Sequence, residues 1–467
     1  MILVLPPWGT PAGEVTRAAL VAVSFLVLLA SAEAVKRLFR VPVEWTRKLV
    51  HVLGGAAAAI FPWLFSTHWT VLGLGLASFA MLALGKKLRR LGSVTGVDRR
   101  SVGELYFPIS VYLLFVVARH QPVFYLIALS VLVFSDTAAA LLGAAYGRHS
   151  YTVASDRRSI EGSAAFMLVT FLCVHVPLLL GTGIDRAASL LIAAQLALLV
   201  TSFEAISMRG NDNLVVPLAT YYLLVKLTPS TADRIAVQLL VQLGLLAGML
   251  LLAWRVRFLT LAGGVAAHLV LYAAFSLGGA PWISAPLLAF AGFLGIQSVS
   301  PPDTSAEGSL HEVHEVFYVS IVSMALLFLD NSFATLAEPG HPLGKGHPFF
   351  VPFVGSFAAT LAIVGYRALR RRRFRMSPPA VAGLAVVIAW IVVAPLSLGV
   401  GPSGLGHAPL VATATMCLLS LPLYLVGRRW LRPHPAGVKD LRLQALCVAV
   451  AAAVTFPFTA GTVVGHG

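Results

Sequence analysis

Charged residues are scarce in this chain. Only 11% of its 467 residues are Asp, Glu, Lys or Arg, whereas 58% are hydrophobic. A soluble globular domain carries charge on about a quarter of its residues, so the composition excludes an ordinary water-soluble fold. Apolar runs of about 17–25 residues, each long enough to cross a bilayer as a helix, recur from end to end without the alternating pattern of a membrane β-barrel. We therefore predict an all-α fold, a polytopic transmembrane helical bundle in the cell membrane.

Cysteines and several catalytic motifs are also rare or absent. Cys173, Cys417 and Cys447 lie within apolar runs without the spacing of metal ligands, which predicts free thiols in the core. The sequence contains no G-x-x-x-x-G-K-[ST], G-x-S-x-G or H-E-x-x-H motif. HEVHE at residues 311–315 has its second His one residue too early and is better explained as a helix start. These absences exclude a P-loop, an α/β-hydrolase nucleophile and the zinc site of the H-E-x-x-H proteases.

Acidic residues are outnumbered by lysine and arginine, 19 to 34, which gives a net charge of +15. The basic residues form short clusters between apolar runs, without a basic domain or interleaved aromatics, so they indicate membrane topology and not a nucleic-acid partner. We predict about 16 spans with both termini external, because this register puts 28 of the 34 basic residues on the cytoplasmic side. The predicted spans are 15–35, 49–66, 69–85, 105–118, 122–146, 162–180, 187–206, 213–228, 235–253, 258–277, 281–297, 316–330, 349–366, 378–398, 408–427 and 443–463.

Asp136 falls inside the apolar segment that begins near Pro122. A carboxylate at that depth is energetically expensive and normally faces protein or trapped water, so we interpret Asp136 as a functional residue. Small residues at every fourth position predict that a neighbouring helix packs closely beside it. These small residues are Ser135, Ala139, Gly143 and Gly147.

Further ionisable and polar residues of the first half cluster at the internal ends of the predicted spans. They are Arg47, Lys48 and His51 on the first internal loop, Arg157, Arg158 and Glu161 on the third, and Glu204, Asp212 and Asn213 around the fourth. The first group suits phosphate binding, although a positive-inside anchor explains it as well. Glu161 also suits a helix start, where an acid favours the dipole. Glu204 still lies within an apolar run, which favours a functional role.

Four blocks of sequence, taken together and in this order, resemble the phytol kinase and dolichol kinase group of integral-membrane polyprenol kinases. The blocks are RKLVHVLGG at residues 47–55, GELYFP at 103–108, SDTAAALLGAAYGRH at 135–149 with SIEGS at 159–163, and FEAISMRGNDNLVVPL at 203–218. The similarity is greater to phytol kinase and covers about residues 30–228. Two features depart from the family pattern. Arg157 and Arg158 stand where the family usually has Lys, and the chain continues for more than two hundred residues beyond the family unit.

The resemblance implies transfer of the terminal phosphoryl group of CTP, or of UTP or ATP, to an isoprenoid alcohol. Such a reaction needs acids for Mg²⁺, cations for the phosphates and a base for the hydroxyl. We expect Asp136, with Asp212 or Glu161, to hold Mg²⁺, and Glu161 or Glu204 to orient or deprotonate the alcohol. The expected nucleotide and phosphate contacts are Arg47, Lys48, His51, Arg157, Arg158 and Asn213. The alcohol would be phytol, geranylgeraniol or a polyprenol, and membrane lipid surrounds the protein.

Two other functions remain open from the sequence. One is a cytidylyltransferase that forms a CDP-lipid, although the Lys-Asp signature and His-Gly pair of that family are missing. The other is a lipid or isoprenoid transporter without nucleotide turnover, for which acids near the bilayer midplane would be expected. We predict a kinase-like transmembrane domain over residues 1–228 and an additional transmembrane helical domain over 229–467. The second domain contains a strongly basic loop at residues 367–375.

Overall fold

The computed structural model describes residues 10–87, 103–153, 156–208, 210–256, 259–299, 313–336, 347–371, 376–398, 407–431 and 437–464. They form two compact units, Met1–Leu240 and Val241–Gly467, and the boundary falls within a long helix. The described residues are almost entirely helical, as predicted. The three cysteines are free thiols. The first two residues of the HEVHE segment lie outside the described residues.

The first unit consists of ten helices and a hairpin in the described part of the chain. The helices are α1 (Pro11–Phe39), α2 (Val43–Ala59), α3 (Phe61–Leu64), α4 (His68–Lys87), α5 (Gly103–Ala118), α6 (Pro122–Ser130), α7 (Asp136–Tyr146), α8 (Ile160–Gly181), α9 (Arg186–Ile206) and α10 (Asp212–Leu227). A π-helical turn, Val131–Ser135, joins α6 to α7. Helix α11 (Ala232–Arg255) contains the boundary between the units.

The polar loop that was expected between α7 and α8 is a β-hairpin instead. Strands β1 (Ser150–Val153) and β2 (Asp156–Ser159) pair antiparallel, with Tyr151 opposite Arg158 and Thr152 opposite Arg157. Side chains of a strand point alternately to its two faces, so Arg157 and Arg158 lie on opposite faces of the hairpin. The hairpin therefore separates two neighbouring arginines that the sequence treats alike.

Helix α1 is tied to the start of α4 by a buried carboxylate. Glu14 is 7% exposed and accepts hydrogen bonds from the Ser66 and Thr67 amides at 2.6 and 3.1 Å. The hydroxyls of Thr67 and Thr70 donate to its other oxygen at 2.8 and 2.7 Å. Amides at a helix start lack helical partners, and an acid satisfies them. We interpret Glu14 as a structural residue, and sequence patterning did not single it out.

The second unit also consists of long apolar helices in its described residues. It contains α12 (Leu261–Gly278), α13 (Ala280–Val299), α14 (Val313–Leu336), α15 (Phe350–Arg371), α16 (Pro378–Val393), α17 (Ala408–Leu431) and α18 (Val438–Val464), and a short 3₁₀ turn, Ala394–Leu398, follows α16. Its core packs aromatic and sulfur-containing side chains, including Trp282, Phe353, Cys417 and Tyr424. The core of the first unit is separate and includes Leu114, Phe115, Tyr125 and Phe166.

Twelve helices of the described residues are long and apolar enough to cross a membrane. The protein is therefore a polytopic helical membrane protein. The four other predicted spans fall on α2 with α3, on α5, on α10 and on α13, which are shorter or less apolar. The count of 16 spans and the external placement of both termini remain predictions.

Candidate active site

The helix that carries Asp136 changes its geometry immediately before that residue. The π-helical turn Val131–Ser135 ends there, and α7 begins at Asp136. Thr170 of α8 steadies the turn, because its hydroxyl donates to Ser135 Oγ at 2.9 Å. A π-helical turn fits an extra residue into the helix and rotates the side chains around it, and such turns are common at functional sites. The direction of the Asp136 side chain therefore depends on this turn and not on a regular 3.6-residue period.

Lys48 of α2 forms a salt bridge with Asp136. Its Nζ lies 2.5 Å from Asp136 Oδ2 and also donates to the Asp136 carbonyl oxygen at 3.2 Å. His51, almost one turn further along α2, places Nε2 at 3.6 Å from the same Oδ2. The Lys48 side chain is 4% exposed and that of Asp136 is 25% exposed. The structure thus brings Lys48 and His51 of RKLVHVLGG to the intramembrane acid.

A glycine lets α2 approach the π-helical turn closely enough for this salt bridge. A Cβ atom on Gly55 would overlap the Val133 side chain in the turn. Val133 is fully buried and β-branched, so it has little freedom to move aside. Gly55 therefore positions α2, and with it Lys48, against the helix of Asp136.

Replacing Gly55 by alanine should move α2 away from the turn and lengthen the Lys48–Asp136 contact. We expect a loss of stability of about 1–3 kcal/mol from overpacking, and a fall in activity of about tenfold to a hundredfold because the site is misaligned. Thermal unfolding and turnover of the purified protein measure the two effects. Gly73→Ala in α4 is the matched control, because a Cβ there meets nothing within 4 Å. Equal behaviour of the two variants would contradict this role of Gly55.

A second group of charged side chains centres on Arg158 in β2. Its Nη1 pairs with Glu204 Oε1 at the end of α9. Its Nη2 donates to Ser207 Oγ at 2.8 Å and lies 3.8 Å from Asp212 Oδ2 at the start of α10. One guanidinium thus links the hairpin, the end of α9 and the start of α10. Glu204 is 7% exposed, which confirms that this acid is buried.

Tyr151 holds the same face of the hairpin against α8 and α9. It is the cross-strand partner of Arg158, and its hydroxyl lies 2.9 Å from Ser163 Oγ in α8. The hydroxyl also approaches the Ala205 carbonyl oxygen of α9 at 3.5 Å. Pairing across the strands places both side chains on the face that meets the acids. Tyr151 and Ser207 are polar contacts that the sequence did not indicate, since neither is charged nor part of a recognisable spacing.

The two groups of side chains share one electrostatic environment. Burial lowers the pKa of Arg158, but Glu204, Asp212 and Asp136 outweigh this effect and raise the pKa above its usual value. Burial likewise lowers the pKa of Arg47, but its pKa is raised overall by Glu44, Asp136 and Asp212. Asp136 and Asp212 therefore act on both guanidiniums. Of the residues that the sequence singles out, the structure thus brings Lys48 and His51 to Asp136, and Arg158 to Glu204 and Asp212.

Arg47 and Glu161 have closer partners than Asp136. Arg47 Nη2 pairs with Glu44 Oε1 at 2.6 Å on the same helix. Glu161 accepts hydrogen bonds from the His149 backbone amide at 3.1 and 3.2 Å, and the His149 ring lies 2.7 Å from it. Glu161 thus ties the loop before β1 to the start of α8. Its roles in metal binding and in alcohol activation remain predictions.

Two other candidate residues lie at the margin of the site. The Arg157 side chain is exposed and points to the opposite face of the hairpin from Arg158, so the structure does not bring it to the acids. The Asn213 backbone amide donates to Asp212 Oδ1 at 3.0 Å at the start of α10.

Glu104 of the GELYFP stretch pairs with Lys86 at 2.5 Å, a contact between α5 and α4 that the sequence did not predict.

The close helix contact that the small residues predict is present between α7 and α8. A Cβ on Gly143 would lie 3.0 Å from Ser159 Oγ and 3.4 Å from Gly162 Cα. A Cβ on Gly162 would in turn lie 3.0 Å from the Ala139 carbonyl oxygen. Small residues at such contacts let helix backbones approach each other in a membrane. The contact fixes the start of α8, and with it the hairpin that precedes α8, beside the helix of Asp136.

The acids of the site have the chemistry of Mg²⁺ ligands. Hard carboxylate oxygens suit Mg²⁺, and Glu204 Oε2 is a buried oxygen without a hydrogen-bond partner among the described residues. No set of three or more His, Cys, Asp or Glu side chains in the described ranges is arranged to hold a metal. Mg²⁺ usually takes only one or two carboxylates and completes its shell with water and phosphate oxygens. The roles of Asp136 and Asp212 in holding Mg²⁺ therefore remain predictions.

An apolar helical body with a buried cluster of acids and cations is typical of an integral-membrane protein with a functional polar site. Comparison with known proteins agrees. The chain is 34% identical over 192 residues to "Phytol kinase" from Synechocystis sp. (strain ATCC 27184 / PCC 6803 / Kazusa), an alignment that covers 41% of this chain and 82% of that relative. This chain therefore belongs to the phytol kinase family and is a lipid alcohol kinase. No protein-family model matches the chain. No solved structure matches it either.

Proposed function

We propose that the protein transfers the terminal phosphoryl group of a nucleoside triphosphate, CTP in the first instance, to an isoprenoid alcohol. The acceptor would be phytol, geranylgeraniol or a polyprenol, and the product its monophosphate. The observation that carries the proposal is the pairing of Lys48 with Asp136 and of Arg158 with Glu204 and Asp212, two groups that share one electrostatic environment. UTP and ATP are the alternative donors.

The cations of the cluster suit a triphosphate. Lys48 and Arg158 are each paired with a carboxylate in this structure, so both are positioned before a nucleotide binds. Phosphoryl transfer depends mainly on positioning and on neutralising the charge of the phosphates. We propose that Lys48 acts as a point charge and that Arg158 and Arg47 act as planar forks on the phosphate oxygens. We propose that His51, on the same face of α2, also contacts the phosphates.

The acids of the cluster divide between metal binding and activation of the alcohol. We propose Asp136 and Asp212 as the residues that hold Mg²⁺, which would neutralise charge on the transferred phosphoryl group. We propose that Glu204 orients or deprotonates the hydroxyl. Its Oε2, which is buried and has no hydrogen-bond partner in the described part of the chain, supports this role. Glu161 stays the alternative for either role. Its bonds to His149 would then have to break.

Membrane position explains how the two substrates meet. An isoprenoid alcohol keeps its hydroxyl at the interface and its tail in hydrocarbon, whereas a nucleotide stays in water. Arg158 in the hairpin, Glu204 at the end of α9 and Asp212 at the start of α10 support an interfacial site. We propose that this end of the first unit faces the cytoplasm, since the basic loops of the sequence follow the positive-inside rule. Residues 1–228 would form the kinase domain and residues 229–467 an additional membrane domain.

The nucleotide and the alcohol can be identified by a transfer assay in membranes that contain the protein. We expect the label of γ-³²P-CTP to appear in an isoprenyl monophosphate, and chelation of Mg²⁺ with EDTA to abolish the transfer. Parallel reactions with UTP and ATP, and with phytol, geranylgeraniol and a long polyprenol, rank the substrates. A CDP-lipid product would instead identify a cytidylyltransferase, and counter-flow of isoprenoid without nucleotide turnover would identify a transporter.

The side of the membrane can be tested with a cysteine in the hairpin. Asp156→Cys should be labelled by an impermeant maleimide only from the cytoplasmic side, in inverted vesicles and not in intact cells. The unmodified chain is the control, because Cys417 and Cys447 are buried and Cys173 is half-buried. Labelling in intact cells would reverse the proposed orientation.

A further inference from the structure

A buried carboxylate in the second unit gathers charged side chains from three helices. Asp440 of α18 is fully buried, and Tyr424 of α17 donates to its two oxygens at 2.9 and 3.1 Å. Arg367 of α15 lies 3.3 Å from Asp440 Oδ2, and Arg428 of α17 lies 3.4 Å from Oδ1. We call Arg367, Tyr424, Arg428 and Asp440 the arginine cluster. None of these four residues is part of the proposed kinase site.

The arginine cluster carries more positive than negative charge. One carboxylate faces two guanidiniums, whose side chains are only 15% and 30% exposed. Excess positive charge on partly buried side chains is energetically unfavourable unless an anion balances it. Each guanidinium has five N–H donors, so contact with Asp440 leaves donors on Arg367 and Arg428 for another acceptor. Asp440 itself is covered by its partners and acts as the anchor that holds the two arginines together.

A buried amide beside the arginine cluster is a second, independent sign of a polar ligand. Gln444 follows Asp440 by one helical turn on the same face of α18. It is 1% exposed, and neither its Oε1 nor its Nε2 has a hydrogen-bond partner within the described residues. Leaving such a group unpaired is unfavourable. A bound polar group near Asp440 would satisfy it.

The surrounding sequence and surface place the arginine cluster at a membrane interface. Residues 366–377 and 427–442 contain 11 Lys and Arg but only one acid, Asp440. Trp430 at the end of α17 is 84% exposed, and tryptophan is enriched at the level of lipid headgroups. An anion bound here would therefore be reached from the lipid headgroup region.

We propose that Arg367 and Arg428, held by Asp440, bind the phosphate monoester headgroup of a membrane amphiphile. A phosphate monoester carries about −1.5 to −2 charges near neutral pH and offers three strong acceptor oxygens. Two forked guanidiniums match those oxygens better than they match a single-charged diester. The tail of the amphiphile lies along the apolar helices. The site uses none of the residues of the proposed kinase site, and an isoprenyl monophosphate and phosphatidate share the chemistry that it recognises.

The experiment measures equilibrium binding to the purified full-length protein in nanodiscs of neutral lipid. The probes are geranylgeranyl monophosphate, dioleoyl phosphatidate, dioleoyl phosphatidylglycerol and inorganic phosphate. We expect Arg367→Gln and Arg428→Gln to weaken binding of the two monoester lipids at least tenfold. Arg429→Gln, the matched control with the same loss of charge at an exposed neighbouring position, should change it less than twofold. Tight binding of either monoester lipid supports the site, and their ratio tells which tail it accepts.

Several results would overturn the proposal. If all three glutamine variants weaken lipid binding equally, binding depends on the overall positive charge of this surface and not on a specific site at Arg367 and Arg428. If inorganic phosphate binds as tightly as the monoester lipids, the ligand need not be an amphiphile. If phosphatidylglycerol binds as tightly, the site does not select a phosphate monoester. Either result contradicts the proposal. Where a glutamine variant fails to fold, as judged by thermal unfolding, Arg367→Lys and Arg428→Lys keep the charge and lose the fork. Unchanged affinity in those lysine variants contradicts the proposal. Because the probes are added ready-made, an inactive kinase site does not affect this measurement.

Discussion

Replacing Asp136 by asparagine is expected to lower alcohol phosphorylation by about a hundredfold to a thousandfold. The substitution keeps the size of the side chain but removes the negative charge that Lys48 meets at 2.5 Å. It also removes one of the two carboxylates proposed to hold Mg²⁺. The measurement is the initial rate of phosphoryl transfer to a saturating alcohol, expressed per mole of folded protein.

Normalisation to folded protein is needed because Asp136→Asn also leaves the buried ammonium of Lys48 without its partner. Thermal unfolding of the purified variant provides the folded fraction. Asp185→Asn is the matched control, since Asp185 is an exposed N-cap of α9 and asparagine caps equally well. Full activity of the Asp136 variant would remove the core of the proposed mechanism.

Replacing Arg158 by glutamine should lower phosphoryl transfer about as much as Asp136→Asn does, but for a different reason. Glu204 would lose its ion-pair partner while it stays buried, and breaking a buried pair in this way destabilises a protein by about 3–5 kcal/mol. The fork that links the hairpin to α9 and α10 would disappear as well. We expect a lower unfolding temperature and loss of phosphoryl transfer together.

The neighbouring residue supplies the control for Arg158. Arg157→Gln removes the same charge from the exposed face of the same strand and should leave stability and turnover nearly unchanged. Arg158→Lys keeps the charge but not the planar fork, so we expect it to recover part of the stability and less of the activity. A similar loss in the Arg157 and Arg158 glutamine variants would mean that only net charge matters. That result would contradict the positioning of Arg158.

The arginines of the hairpin show where prediction from sequence ends. A run such as DRRS gives two equal candidates for phosphate binding, because nothing in it indicates a strand. The strand pairing of Tyr151 with Arg158 then assigns one arginine to the acids and the other to solvent. Glu161 is a similar case, because its acid at a helix start was predictable but its attachment to His149 depends on the path of the loop.

The direction of Asp136 was equally out of reach of sequence patterns. Periodicity describes a regular α-helix, whereas a π-helical turn lies immediately before this residue. The role of Gly55 is also invisible in the sequence, since it depends on Val133 on another helix. Both features act through contacts between residues that are far apart along the chain.

By itself, the sequence determined that the chain is a helical membrane protein, which ionisable residues are candidates for its chemistry and which family they resemble. Long apolar runs and isolated intramembrane acids suffice for that, because lipid tolerates neither exposed backbone polar groups nor unpaired charge. Only the tertiary structure decided which acid meets which cation. Salt bridges such as Lys48–Asp136 and Arg158–Glu204 join residues 88 and 46 positions apart, and their geometry follows from helix packing, a π-helical turn and a strand register.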